Sequence, residues 1–262
     1  MKASERYQDF LELLAQKGRL DLGEICEHFS VSDSTARRLC IEAEKKGKGI
    51  RIYGGGIQSL KILAAQVEYS FENKTEEHMA EKAVIGRYAS SLVESNEVIY
   101  VSSGTTTQQF MLHLAKRIEN GELSNVSVMT NSFSFVEMAS DRFSVILTGG
   151  RYRRGRRDFA GEVAEASLQG AHFSKCFIGI DGVELPRGTV ASDADTVNLD
   201  RIAVACSDAA FILADYSKFI SRSYIRCQPL LPKHIIITDS GVSETFAQLA
   251  ADSGISLKIV PM

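Results

Sequence analysis

The sequence predicts an α/β protein in which a small α+β winged helix precedes an open, mostly parallel sheet flanked by helices. Three observations carry that expectation. Residues 7–46 repeat an apolar i, i+3, i+4, i+7 spacing and lead into an alternating segment and a glycine run. From residue 98 onward, short apolar runs alternate with amphipathic stretches, which is the pattern of parallel strands joined by helical crossovers. Positive charge is also concentrated early: within residues 35–51, Arg37, Arg38, Lys45, Lys46, Lys48 and Arg51 face only Glu42 and Glu44. The whole chain has 30 Lys+Arg against 33 Asp+Glu and a formal net charge of -3. Such a molecule has no bulk attraction to nucleic acid or anionic membrane, so a partner of that kind needs a local patch.

In the first segment, Tyr7, Phe10, Leu11 and Leu14 form one helical stripe, and Leu22, Ile25, Cys26 and Phe29 form a second after the Lys17-Gly18 break. A third helix is expected from Ser32 as N-cap, with Val31 and Ala36 placed as a hydrophobic staple. Ala36, Cys40 and Ala43 then face inward, Ser34, Arg37, Arg38 and Ile41 face outward, and Gly47 closes the helix at C′. Ile50 to Tyr53 alternate like a strand, and Gly54-Gly55-Gly56 permit a tight hairpin, completing a winged helix-turn-helix. Expected boundaries are 1–58 for this domain, 59–75 for a linker and 76–262 for the α/β domain.

Strands are expected at Val98–Val101, Val126–Met129, Ser144–Leu147, Cys176–Ile180, Ala210–Ala214, His234–Ile237 and Leu257–Val260, with helices including Gln108–Ile118 and Thr196–Ser207. The 262 residues, 44% of them hydrophobic, suffice to bury a sizeable core. Apolar runs such as Ile235-Ile236-Ile237 fall far short of the roughly 20 residues that span a bilayer. The N-terminal Met1-Lys2-Ala3-Ser4-Glu5 leads into charge. A cytoplasmic protein without a membrane partner is therefore expected. Five cysteines, an odd count with no C-x-x-C pair, and five scattered histidines point to neither a disulfide framework nor a metal site, and no cofactor is expected.

A helix presenting Arg37 and Arg38 near its start, beside a basic turn and wing, suits the DNA major groove. The candidate DNA contacts are Ser34, Thr35, Arg37, Arg38, Lys45, Lys46, Arg51 and Tyr53. A solvated charged face is the alternative for the arginine pair alone; the preceding helix pair and following wing favour double-stranded operator DNA. Phosphate contacts would supply affinity and base contacts specificity.

The strand ending at Val101 runs into Ser102-Ser103-Gly104-Thr105-Thr106-Thr107 and then a helix. Free backbone N–H groups, hydroxyls and the positive helix end thus meet at one point, which suits a phosphate. A threonine-capped structural turn is the alternative. No Gly-Lys-Ser/Thr follows, so this is not a Walker loop. Thr130-Asn131, Gly149-Gly150-Arg151, Asp181-Gly182 and Lys218 after Asp215 also follow strands, where the ligand crevice of an open parallel sheet lies. The candidate effector contacts are Ser103, Gly104, Thr105, Thr106, Thr107, Thr130, Asn131, Gly149, Gly150, Arg151, Asp181, Gly182 and Lys218. Residues 151–157 hold five arginines and no acid, readable as a solvated loop, an anion clamp, or a subunit or DNA contact.

These residues resemble the DeoR-type family of bacterial transcriptional regulators from about residue 5 to residue 255. The N-terminal features are Val31-Ser32, Thr35-Ala36-Arg37-Arg38, Gly47 and Arg51-Ile52-Tyr53-Gly54-Gly55. There follow Glu81-Lys82, Ser103 to Thr107, Thr130-Asn131, Thr148-Gly149-Gly150, Gly161, Phe177-Ile178-Gly179, Asp181-Gly182, Leu213-Ala214-Asp215, Ser217-Lys218-Phe219 and Ile237-Thr238-Asp239. The resemblance implies a sensor fold akin to ribose-5-phosphate isomerase, a phosphorylated sugar as effector, and binding to operator DNA as a homo-oligomer, dimer or tetramer. A repressor of carbohydrate catabolism is the expected role. The chain departs from the family pattern at Leu39-Cys40, where an acid is common, at Ser102, at Lys175, and at Asn198 and Asp200. Two alternatives remain at this level. One is a sugar-phosphate isomerase using Asp181, Glu184 and Lys218, although no nucleophile and base pair stands out and no catalytic residue is assigned. The other is a DNA-binding protein whose C-terminal domain serves only oligomerisation.

Overall fold

The computed structural model describes residues 3–17, 19–46, 48–51, 55–59, 70–138, 143–185, 188–219, 225–231 and 234–262. Gly18, Gly47, Ile52, Tyr53, Gly54 and residues 60–69 of the expected linker lie outside the described residues. The chain divides into two compact units, Met1–Tyr69 and Ser70–Met262.

In the first unit, helices α1 (Ala3–Lys17), α2 (Leu22–Phe29) and α3 (Asp33–Lys45) accompany strands β1 (Arg19–Asp21), β2 (Gly49–Arg51) and β3 (Gly56–Ser59). The strands form an antiparallel sheet in the order β1-β3-β2. The apolar stripes meet as expected: Phe10, Leu14, Ile25, Ala36, Cys40 and Ala43 share one buried cluster, joined by Leu20 and Ile57 from the sheet. Helix α2 starts at a reciprocal cap, in which the Glu24 N–H donates to Asp21 Oδ1 (2.8 Å) and the Asp21 N–H to Glu24 Oε2 (3.2 Å). Ser32 occupies the N-cap position of α3, but its Oγ lies against Ser34 Oγ (3.0 Å) and Thr35 Oγ1 (3.1 Å) and caps no backbone N–H.

The second unit opens with α4 (Phe71–Glu76), which begins within the stretch expected as linker, and α5 (Met79–Ser91). Seven strands then build one parallel sheet: β4 (Val98–Val101), β5 (Ser127–Thr130), β6 (Ser144–Leu147), β9 (Phe173–Gly179), β12 (Ser207–Leu213), β14 (His234–Asp239) and β15 (Ser256–Val260). Their order is β15-β14-β12-β9-β4-β5-β6, and every neighbouring pair is parallel. Alternate residues of each central strand feed two separate apolar layers, as a sheet buried on both faces requires. On one face Ile99, Val101, Phe177, Phe211 and Ile237 pack with Ile85, Ala89, Phe110 and Leu114 of α5 and α6 (Thr105–Glu119). On the other, Tyr100, Cys176, Ile178, Ile212 and Ile236 pack with Ala164 and Leu168 of α8 (Glu162–Leu168) and with Leu199 and Ala203 of α9 (Ala194–Ala205). Helices α5 and α6 touch closely at Gly86, where a Cβ would meet the Phe110 backbone nitrogen at 2.5 Å.

Two of the expected helices shift. The stretch expected at 108–118 begins at Thr105, and the one expected at 196–207 runs from Ala194 to Ala205. Asp193 sets the latter start by accepting from the Thr196 N–H (2.8 Å), and Ser207 is claimed by β12, where it pairs with Phe173 of β9. Smaller elements complete the unit: α7 (Phe133–Met138), the hairpin β7 (Arg151–Arg153) with β8 (Asp158–Ala160), and a sheet of β10 (Gly182–Glu184), β11 (Gly188–Ala191) and β13 (Ile225–Gln228). A 3-10 turn spans Tyr216–Phe219, and α10 covers Glu244–Asp252. Among the described residues no helix is long and apolar enough to cross a membrane, and no cluster of ligating side chains suits a metal ion.

Candidate functional site

Helix α3 keeps Ser34, Arg37 and Arg38 exposed and turns Ala36, Leu39, Cys40 and Ala43 into the core. Leu39, at the position where the family commonly has an acid, is thus a packing residue here. The basic surface is laced with acids: Arg37 Nε donates to Asp33 Oδ2 (2.7 Å), Lys46 Nζ to Glu42 Oε1 (2.6 Å) and Arg51 Nε to Glu44 Oε2 (2.6 Å). Arg38 Nη2 reaches Thr35 Oγ1 at 3.5 Å. Lys46 also lies over the Tyr7 ring, 4.4 Å from its centroid, which ties it to α1. The Arg51 N–H donates to Glu44 Oε1 (3.2 Å), so one carboxylate fastens both backbone and side chain at the end of β2. Tyr53 lies outside the described residues.

In the second unit the carboxyl ends of adjacent strands β9, β4 and β5 lie along one sheet edge. The turn after β4 is built there by cross-links between strands. The Ser103 N–H donates to Asn131 Oδ1 (2.8 Å), Asn131 Nδ2 donates to the Phe159 carbonyl (3.1 Å), and Thr130 Oγ1 donates to the Val101 carbonyl (2.7 Å). Ser102, a departure from the family pattern, ties β4 to β9 by accepting from the Gly179 N–H (3.1 Å). Gly104 stands at the N-cap of α6 and provides no side-chain acceptor, so the first backbone donors of that 15-residue helix have no side-chain cap. Thr105, Thr106 and Thr107 form its buried first turn, where Thr107 Oγ1 donates back to the Gly104 carbonyl (3.0 Å).

Two buried groups at this edge escaped the sequence reading. Asp158 of β8 accepts from Ser103 Oγ (2.7 Å) and takes both Nε and Nη2 of Arg153 (2.8 Å each), so it braces the turn from below. It stands 55 residues from Ser103, and only the long-range hairpin reveals it. Lys82 of α5 is almost wholly buried, and its ammonium donates to the Lys74 carbonyl. Burial lowers its pKa to about 8 against the pull of Asp215, with Lys218 adding to the lowering. The Glu81-Lys82 pair was the one signal available for it. Asp215, fully buried after β12, accepts from Ser217, while its Oδ2 has no hydrogen-bond partner among the described residues. Lys218 begins in the same turn, its N–H donating to the Asp215 carbonyl (3.0 Å).

The remaining candidates are placed less directly. Asp181 Oδ2 accepts from the Ser192 N–H (2.8 Å) and Oγ (2.6 Å), and Gly182 starts β10 beside it. Buried Asp200, another departure, has its carboxyl pushed well up by burial, with Asp181 and Asp158 adding to the effect. Gly149 and Gly150 follow β6, two strands from β4 and thus about 10 Å away across the sheet. Gly150 has φ +109° and its Cβ position lies 2.8 Å from the Ala160 carbonyl, so its glycine serves hairpin packing. Arg151 is exposed and donates to Asp195 Oδ2 (2.6 Å). The other departures are structural: Lys175 donates to Glu97 Oε1 (2.6 Å) and the Leu92 carbonyl (2.8 Å), and Asn198 reaches Glu165 (3.4 Å).

Comparisons with known proteins agree over both units. Residues 6–61 match the model of the DeoR-like helix-turn-helix domain, and residues 77–240 that of the DeoR C-terminal sensor domain. The chain is 28% identical over 256 residues to the HTH-type transcriptional regulator IolR of Bacillus subtilis, spanning 97% of this chain and 98% of the relative. It is 31% identical over 223 residues to the lactose phosphotransferase system repressor of Staphylococcus aureus strain N315, spanning 83% and 84%. The HTH-type transcriptional repressor GlcR of Bacillus subtilis is 28% identical over 261 residues, spanning 99% and 97%. Among solved structures, ribose 5-phosphate isomerase A of Methanocaldococcus jannaschii is 21% identical, with 53% of each chain covered and a TM-score of 0.40.

Proposed function

The chain belongs to the DeoR family of transcriptional regulators, and from that premise we propose how it works: α3 and the wing bind operator DNA, and a phosphorylated sugar in the crevice of the sensor unit sets the strength of that binding. The physiological role is repression of a carbohydrate-catabolic operon in the cytoplasm by a homo-oligomer, dimer or tetramer. Ser34, Thr35, Arg37, Arg38, Lys45, Lys46, Arg51 and Tyr53 contact DNA. In the sensor unit the turn from Gly104 to Thr107 takes the phosphate on backbone donors beside Ser103, and Lys82 and Lys218 supply positive charge. Thr130, Asn131, Asp181 and Gly182 line the polyhydroxylated part of the ligand, with Gly149, Gly150 and Arg151 at its margin.

The observation that carries this reading is the first turn of α6. Its donors have no capping side chain, its backbone is fixed by Asn131, and a buried ammonium stands at the same sheet edge. Such a site favours an anion through hydrogen bonds and through the helix dipole. The ligand regulates by binding one arrangement of the DNA-binding units more tightly than another, since a ligand shifts an equilibrium only by its differential affinity. No turnover accompanies binding. Asp181 Oδ2 is occupied by the Ser192 N–H and hydroxyl, which supports a binding role for this carboxylate over proton transfer.

Calorimetry with a panel of phosphorylated sugars and their free sugars tests the site, and NMR of the same mixtures tests for conversion. The expected result is binding that requires the phosphate and leaves the sugar unchanged. Equal affinity for a free sugar would refute the phosphate turn, and catalysed isomerisation lost in Asp181→Asn would make the protein an enzyme.

A further inference from the structure

The arginine-rich run at residues 151–157 is neither a solvated loop nor spare charge. It forms the β7–β8 hairpin, and Arg151, Arg153, Arg156 and Arg157 face acids: Asp195, Asp158 with Asp193, Asp193 and Glu137 respectively. Arg153, only 12% exposed, grips Asp158 and also engages Asp193, the N-cap of α9, with Thr196 Oγ1 at 3.0 Å. Arg157 pairs with Glu137 of α7 and stands 3.8 Å from Glu72 of α4.

Backbone bonds fasten the two ends of the hairpin differently. Strand β8 is stitched to the end of β5, where the Phe159 N–H donates to the Asn131 carbonyl (2.8 Å) and the Phe133 N–H to the Arg157 carbonyl (2.9 Å). At its tip the Gly155 carbonyl accepts from the N–H of Phe71 (2.9 Å), the first residue of α4, whose side chain is buried. Helix α4 is the first element of the sensor unit after residues 60–69.

From this geometry we infer that the hairpin is a relay: Asp158 holds the phosphate turn through Ser103 at one end, and Gly155 and Arg157 hold the start of α4 at the other, so that filling the turn orders the segment through which the DNA-binding unit is attached. The inference deepens the effector reading and rests on it. Ordering at one end of a hydrogen-bonded element lowers the cost of ordering at the other, and hydrogen exchange is the observable for such coupling.

The experiment is hydrogen–deuterium exchange on the full chain with and without saturating inorganic phosphate, read at residues 102–108 and at residues 70–77. In the wild type, phosphate slows exchange about fivefold or more in both segments. In Arg157→Gln the turn still gains protection while residues 70–77 do not respond, and Arg157→Lys restores the response by keeping the charge. If Arg157→Gln fails to fold, Glu72→Gln decides in its place, because it removes the α4 partner at a side chain that is 65% exposed. Protection of the turn with no change at 70–77 in the wild type would overturn the relay and leave the effector site standing. So would an undiminished response in Arg157→Gln. No protection of the turn at any phosphate concentration would overturn the effector reading and the relay with it.

Discussion

Lys82 donates to the Lys74 carbonyl from beneath the strand ends, and burial lowers its pKa to about 8 while Asp215 pulls the other way. The unfolded chain keeps this proton up to the ordinary lysine range. Between pH 8 and 10.5 the unfolded state therefore binds more protons than the native state, and stability rises with pH through that window, by about 3 kcal/mol in total from this one group. In the proposed site an anion would stabilise this buried ammonium. Phosphate binding favours the ammonium, so above pH 8 it must take up a proton and affinity must fall, by up to about tenfold per pH unit. Calorimetric titrations at pH 7, 8 and 9 check this. Lys82→Met should bind more weakly at pH 7 and show no such slope, and a slope unchanged in that variant would remove Lys82 from the site. Asp158 and Lys82 also show why parts of the site were illegible in the sequence. A lone acid just after an arginine run reads as a loop charge, and a lysine in a helix reads as surface. Their roles come from burial and from partners such as Ser103 and Asp215 that lie 55 and more residues away.

At the scale of elements, α3 carries the DNA-binding claim. Arg37 is paired with the exposed Asp33 and Arg38 reaches the Thr35 hydroxyl; exposed ion pairs are worth at most about 1 kcal/mol, so exchanging Asp33 for a DNA phosphate costs little. Arg37→Ala and Arg38→Ala are expected to weaken operator binding by about 1–3 kcal/mol each in gel-shift titrations at fixed salt, with folding and sugar-phosphate affinity unchanged. Operator affinity unaltered in both would remove α3 from the groove. The same helix was readable in advance because its inward and outward residues separate cleanly along a 3.6-residue period. The inner strands of the seven-stranded sheet were readable because runs such as Ile99 to Val101 are buried on both faces and so stay apolar. Three-residue strands are another matter. Arg19–Asp21, Arg151–Arg153 and Gly182–Glu184 are too short to show a period, and each is defined by the strand it pairs with, β3 for the first and the next strand of a hairpin for the other two.

For the whole molecule, the sequence pattern conveyed a basic helical unit and, after it, a parallel sheet with a glycine-threonine turn at one strand end. What it could not convey is how the charged hairpin joins the turn to the start of α4, because that depends on register between β5, β7 and β8. The central claim is that these parts form one switch in which a phosphorylated sugar and operator DNA influence each other's binding. By linkage the influence is reciprocal: the factor by which the effector changes DNA affinity equals the factor by which DNA changes effector affinity. The most direct measurement is fluorescence anisotropy of an operator duplex, selected by the protein from random DNA, titrated at one fixed salt concentration with and without the tightest-binding sugar phosphate at saturation. A shift in the operator dissociation constant of about fivefold or more is predicted, absent with the free sugar and absent in Lys82→Met. An operator affinity that stays the same while the sensor unit is demonstrably saturated would contradict the account.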